Sequence, residues 1–114
     1  FSVFQHFGFQ SGRDVDKFKE TGLLAEAATY VKAPLIAQSP VNIECRVKQI
    51  VKLGSHDMFL SDVLGVHVDK KYMGNNGKFE LGGAKPIVYS HGEYYGLGEL
   101  LGSFGYSVKK KGKR

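Results

Sequence analysis

Several groups of residues in this 114-residue sequence have types and spacing that chemistry can use. Ser11-Gly12-Arg13-Asp14 has the S-x-x-D form of a capping box, in which Ser11 accepts from the N3 amide and Asp14 reaches back to the cap amide. The amides of a helix starting there, with Ser11, Arg13 and Lys17 beside them, would make an anion or phosphate site at the positive end of a helix dipole. Asp14 and Asp16 partly neutralise the same spot, and a plain helix cap accounts for the same residues. His56 stands between Gly54 and Asp57, where an accessible imidazole could bind a ligand or deliver a proton, or simply be a solvated loop histidine. His6, His67 and His91 have no spacing that suits a metal. Tyr94-Tyr95, with Gly96 and Gly98, could wall a planar ligand, though core packing explains them equally well.

These residues need elements to position them. Val15 and Phe18 follow the cap at helical spacing and Thr21-Gly22 supplies a stop, so a short helix is expected from about Gly12 to Thr21. Phe1, Phe4, Phe7 and Phe9 fit a helical turn or a strand and read as core-facing aromatics. Residues 23–40 are broken by Pro34 and Pro40 and read as irregular, with a small amphipathic turn around Ala25–Tyr30. In Val41–Leu53, Val41, Ile43, Cys45 and Val47 alternate with polar residues, the period of a half-buried strand. Cys45 then falls on the buried face as a small hydrophobe rather than a nucleophile. Ile50, Val51 and Leu53 break the alternation, which suggests a bulge. Met58–Val68 is apolar on both parities, the pattern of a central strand, and the short Gly54–Asp57 link makes the pair a long antiparallel hairpin. Beyond Asp69 come a brief helical or turn stretch, a loop at Gly74–Gly77, a strand over Lys85–Ser90 and a glycine-punctuated run over Glu93–Leu101. The expected class is mainly β with one or two short helices, a small barrel or sandwich. No βαβ alternation and no G-x-G-x-x-G support a dinucleotide fold.

Composition removes other classes. The net charge is +5, and Lys109, Lys110, Lys111, Lys113 and Arg114 supply all of it, so the body is neutral and speaks against nucleic acid. One cysteine excludes an internal disulfide framework or a multi-cysteine metal site. No apolar run approaches the ~18 residues that cross a bilayer. The chain opens on Phe1 without a basic-then-apolar leader, which gives the expectation of a cytoplasmic protein with no membrane partner. Its length suits one domain, 1–108, followed by a basic tail, 109–114.

The motifs in combination say more than each alone. Ser11 to Phe18 (SGRDVDKF), Ala33-Pro34-Leu35-Ile36, Ser39-Pro40-Val41-Asn42-Ile43-Glu44-Cys45, Gly54-Ser55-His56-Asp57 with the run to Val63, and Tyr95-Gly96-Leu97-Gly98 occur in this order. The sequence resembles the flavin reductase-like family of FMN-binding split-barrel proteins, the flavoredoxins among them, from about Gly8 to Lys110. That resemblance implies a split β-barrel homodimer that binds FMN near the subunit interface and passes electrons between a nicotinamide, NAD(P)H, or a protein donor and the flavin. It implies cofactor contacts from Ser11, Gly12, Arg13, Asp16 and Lys17 on the phosphate and ribityl side, with Pro40 and Val41 bordering the barrel side. It implies that His56 meets the nicotinamide, with Ser55 standing where the family has Asp. A partner electron-transfer protein or monooxygenase is implied, and no metal. Family members are longer, and the barrel expected here lacks their first strands. A non-catalytic dimerisation or small-ligand module is the alternative reading.

Overall fold

The computed structural model describes Arg13 and residues 16–108. The four N-terminal phenylalanines, the Ser11–Asp14 capping box and the Lys109–Arg114 tail lie outside the described residues, as do Ser11 and Gly12 themselves. The chain divides into two compact units, Phe1–Phe79 and Glu80–Arg114.

In the first unit, helix α1 covers Lys17–Thr21. Asp16 has an extended backbone (φ −82°, ψ 102°), so this helix starts at Lys17 and not at Gly12 as the spacing predicted. The Asp16 carboxylate caps it by accepting from the Lys19 amide at 3.3 Å. The expected stop is present: Gly22 adopts φ 71°, and its amide donates to the Phe18 carbonyl at 3.0 Å. Residues 23–40 are more ordered than their prolines suggest. Strands β1 (Ala25–Glu26) and β2 (Leu35–Ile36) pair antiparallel, and the Leu24 amide donates to the Gln38 side chain. The Asn42 amide group brackets Ile36, accepting from its N–H at 3.0 Å and donating to its carbonyl at 3.1 Å.

Strands β3 (Val41–Lys52) and β4 (Asp57–Val68) form the long hairpin read from the sequence. Its register runs from Val41 opposite Val68 to Lys52 opposite Asp57. Two shifts interrupt it: between Glu44 and Cys45, where Leu64 is the extra residue of β4, and between Val47 and Gln49, where Lys48 is the extra residue of β3. The second is the expected bulge. By taking up one residue it returns Ile50 to the face of Val47, although the simple alternation has failed. The Asp69 amide donates to the Pro40 carbonyl at 2.9 Å and ties the open end of the hairpin.

Two expectations about this hairpin are overturned. The apolar face, with Ile43, Val47, Ile50, Phe59, Val63 and Val66, is exposed, and Cys45 on the same face is exposed too. Burying a sheet face takes a second layer, and among the described residues nothing in this unit supplies one there. Residues 29–31 cover the opposite, polar face instead, and Glu44 on that face is the one buried residue among those described. Strand β4 is not central, since β3 is its only neighbour in the described sheets.

The second unit holds a 3-10 turn at Leu81–Ala84 and the hairpin β5 (Ile87–Ser90) with β6 (Glu93–Gly96); β5 is two residues shorter than the expected Lys85–Ser90, and β6 forms within the glycine-punctuated run. Its two-residue turn places His91 at φ 51° and Gly92 at φ 79°, the paired positive angles of a tight hairpin turn. Tyr89 and Tyr94 meet edge to face across the strands, with ring centres 5.2 Å apart.

Candidate functional site

His56 sits in the four-residue link between β3 and β4. The Leu53 amide donates to the His56 carbonyl at 2.9 Å and closes the turn, and Gly54 takes φ 95°, a conformation that strains a residue with a Cβ. Nδ1 of His56 lies 2.9 Å from the Ser55 hydroxyl. Lys52 and Asp57 form an ion pair at 3.8 Å at the base of the link. The imidazole is exposed, as a group that meets a ligand at a hairpin tip must be.

The remaining sequence-derived site residues lie elsewhere. Arg13 is exposed, Lys17 opens α1, and Asp16 caps it. Because the Asp16 carboxylate already occupies the start of this five-residue helix, the helix amides here hold an internal anion, and an external phosphate would be met by the Arg13 and Lys17 cations. Leu24, just past α1, bonds Ala37 and Gln38 in the segment that leads into Pro40, so α1 is tethered towards the Pro40 end of the hairpin. His56 lies at the other end. Twelve residues of β3 separate them, roughly 40 Å at about 3.3 Å per residue. The length of β3 thus separates Pro40 from His56, and within one chain these two do not meet around a single small molecule.

A cluster that the sequence did not reveal lies on the polar face of the hairpin. The Glu44 carboxylate is 2% exposed and accepts from the amides of Thr29 (3.1 Å), Tyr30 (2.6 Å) and Val31 (3.1 Å). It also takes a 2.5 Å hydrogen bond from Nε2 of His67. Burial alone would push this carboxyl up; the His67 bond and the three backbone bonds outweigh that effect and hold it down at about 2. Gly65, opposite Glu44 in register, leaves room for the Tyr30 ring: a Cβ there would lie 2.8 Å from Tyr30 Cε2. One sequence cue existed, a lone glycine inside an apolar strand, which marks a close approach. Among the described residues, no group of three or more His, Cys, Asp or Glu side chains is placed to hold a metal, and no helix is long and apolar enough to cross a membrane.

The comparisons with known proteins bear on all of this. The model of the flavin reductase like domain matches residues 1–98. The chain belongs to that family. Its fold agrees: flavoredoxin of Desulfovibrio vulgaris (Miyazaki F) superposes with a TM-score of 0.85 at 25% identity, over 95% of this chain and 58% of that one. A flavin reductase with a split barrel domain from Shewanella frigidimarina superposes with a TM-score of 0.71 at 17% identity, over 88% of this chain and 52% of that one. The mainly β split-barrel class read from the sequence is therefore the observed one. A protein of Aquifex aeolicus is 27% identical over 82 residues, which make up 72% of this chain and 42% of the relative. This flavin reductase-like chain spans about half the length of the proteins it matches.

Proposed function

We propose that this flavin reductase-like protein binds FMN and passes electrons between a nicotinamide or protein donor and the flavin. The observation that carries the reading is the family match over residues 1–98, and the superposition on a flavoredoxin supports it. When bound, the flavin supplies the hydride-accepting chemistry. The residues of this chain bind and orient. Arg13 and Lys17 supply two cations suited to a phosphate, while the Asp16 cap fixes the start of the helix that carries Lys17. Ser11 and Gly12, which precede Arg13 in the sequence, join them in holding the cofactor, and Pro40 borders the flavin just ahead of β3. His56 positions the nicotinamide from an exposed turn that leaves space for it.

The length of β3 separates His56 from Pro40, so we assign His56 to the flavin site of a second copy. A homodimer explains two observations together: the distance between the two groups and the uncovered apolar face of β3–β4, which a second layer would bury. The electron acceptor is a partner protein or a monooxygenase. Titrating FMN with the protein tests the binding claim: its fluorescence falls to a plateau, and NADH or NADPH oxidation follows with catalytic FMN.

The second reading is a split-barrel module that dimerises or holds a small ligand without catalysis. The exposed apolar face favours it equally, since packing alone would satisfy that face. It predicts a dimer that leaves FMN fluorescence unchanged, and steady NADH-dependent flavin turnover would rule it out.

A further inference from the structure

Glu44 fixes the chemistry of His67. A carboxylate receiving three backbone N–H groups is ionised and only accepts, so the proton in its bond to His67 belongs to Nε2. That holds for the neutral ring and the charged one. The proton that comes and goes on His67 is therefore the one on Nδ1, and Nδ1 has no partner among the described residues.

The His67 side chain is 38% exposed and lines a cavity of about 260 Å³ with Glu26, Ser39, Asn42 and Asp69. Two of these groups are already partly committed. The Asn42 amide uses one N–H and one lone pair on Ile36, and the Ser39 hydroxyl gives its hydrogen to the Val41 carbonyl while its oxygen can still accept. Three further groups offer lone pairs to a ligand: the Glu26 carboxylate, the Asp69 carboxylate, one oxygen of which accepts from the Lys71 amide, and Nδ1 of a neutral His67. All three are acceptors. The charged groups that bond the ring or line the cavity with it are Glu44 from β3, Glu26 from β1 and Asp69 just past β4, and all are negative.

We propose that this cavity is a site for a small cation rich in N–H donors, an alkylammonium or guanidinium group, with His67 Nδ1 as an acceptor and Glu44 as the residue that positions the ring. A neutral imidazole whose Nε2–H is held by Glu44 keeps its Nδ1 lone pair towards the cavity, where an unheld ring would alternate between its two tautomers. The two carboxylates supply charge and further acceptors. Protonating Nδ1 replaces that acceptor with a donor and a positive charge, so the protonated ring binds the cation more weakly.

Histidine ring nitrogen shifts in the 15N-labelled protein, recorded without flavin, test this directly and do not depend on the FMN reading. Neutral His67 shows the Nε2–H tautomer. Methylguanidinium shifts its resonances along a saturable curve, whereas acetate and tetramethylammonium, which has no N–H donor, do not. The affinity drops about tenfold or more where the same spectra show the ring protonated. His67→Gln keeps an amide N–H where Nε2 donated to Glu44 and loses the Nδ1 acceptor, so it binds methylguanidinium at least tenfold more weakly. Should that variant fail to fold, the tautomer and the pH dependence of the wild type decide alone. An Nδ1–H tautomer, a pH-independent affinity, a folded His67→Gln that binds as wild type, or equal shifts with acetate or tetramethylammonium would each overturn the proposal.

Discussion

Glu44 shows how much one residue can order when its partners come from distant chain. The amides it accepts from lie 13 to 15 positions earlier and His67 lies 23 later, so one carboxylate fastens the 29–31 turn to both strands of the hairpin. Glu44→Ala leaves three amides and an imidazole without their acceptor in a covered site. It should lower the midpoint of thermal unfolding by about 4–8 °C or more, while Glu20→Ala on the exposed face of α1 changes it little. Scanning calorimetry of the two variants checks this. The pH dependence follows from the same bonds. The folded-state value of Glu44, about 2, lies below its ordinary value of 4.5, so its contribution is complete above that ordinary value and is lost as pH falls from there towards 2. Melting temperatures recorded from pH 6 to pH 2 should fall more steeply for wild type than for Glu44→Gln, which has no proton to take up there. At Gly65, substitution by Ala pushes the Tyr30 ring aside. Since that ring is 58% exposed and can swing away, the expected result is a small loss of stability with a clear change in tyrosine fluorescence.

At the scale of elements, the sequence and the structure agree where local rules decide and part where distant chain decides. The β3–β4 hairpin was legible because alternation, a short glycine-bearing link and two long apolar runs all act over neighbouring residues. The stop of α1 at Thr21-Gly22 was legible for the same reason. The start of α1 was not, because Ser11 and Asp16 are both good caps and only the extended backbone at Asp16 shows which one opens Lys17–Thr21. The choice of covered face was not legible either. Alternation shows that one face is apolar; it does not show which face the chain will cross, and the 29–31 turn crosses the polar one. The same limit hid the Glu44–His67 pair, whose members each look like an ordinary residue on a polar parity. His56 was legible as a turn-tip histidine, but its distance from Pro40 emerged only with the length and register of β3. The exposed apolar face makes its own prediction. Ile43→Lys together with Val66→Lys, opposite each other in register, should leave the secondary structure intact and shift the protein to monomer in light scattering. A dimer that survives both changes places the interface elsewhere.

The whole molecule joins a flavin reductase-like fold with two cations, Arg13 ahead of α1 and Lys17 at its start, and a histidine at the tip of a long hairpin. If His56 serves the site of a second copy, His56→Ala and Lys17→Ala impair different halves of the same site. His56→Ala should slow hydride transfer roughly a hundredfold with little change in FMN affinity. Lys17→Ala should weaken FMN about tenfold, roughly 1.4 kcal/mol, with little change in the rate at saturating flavin. At an FMN concentration too low to fill the Lys17→Ala sites, where both variants are impaired, mixing them in equal amounts should raise the rate above the mean of the two towards a quarter of wild type, from the fraction of sites that draw both intact residues. No recovery on mixing would return His56 to its own chain. The central claim is flavin binding itself, and titrating FMN with the purified protein tests it most directly. The account predicts fluorescence quenching that saturates at one FMN per chain, with a perturbed visible flavin spectrum. Unquenched fluorescence and an unaltered spectrum at excess folded protein would contradict it.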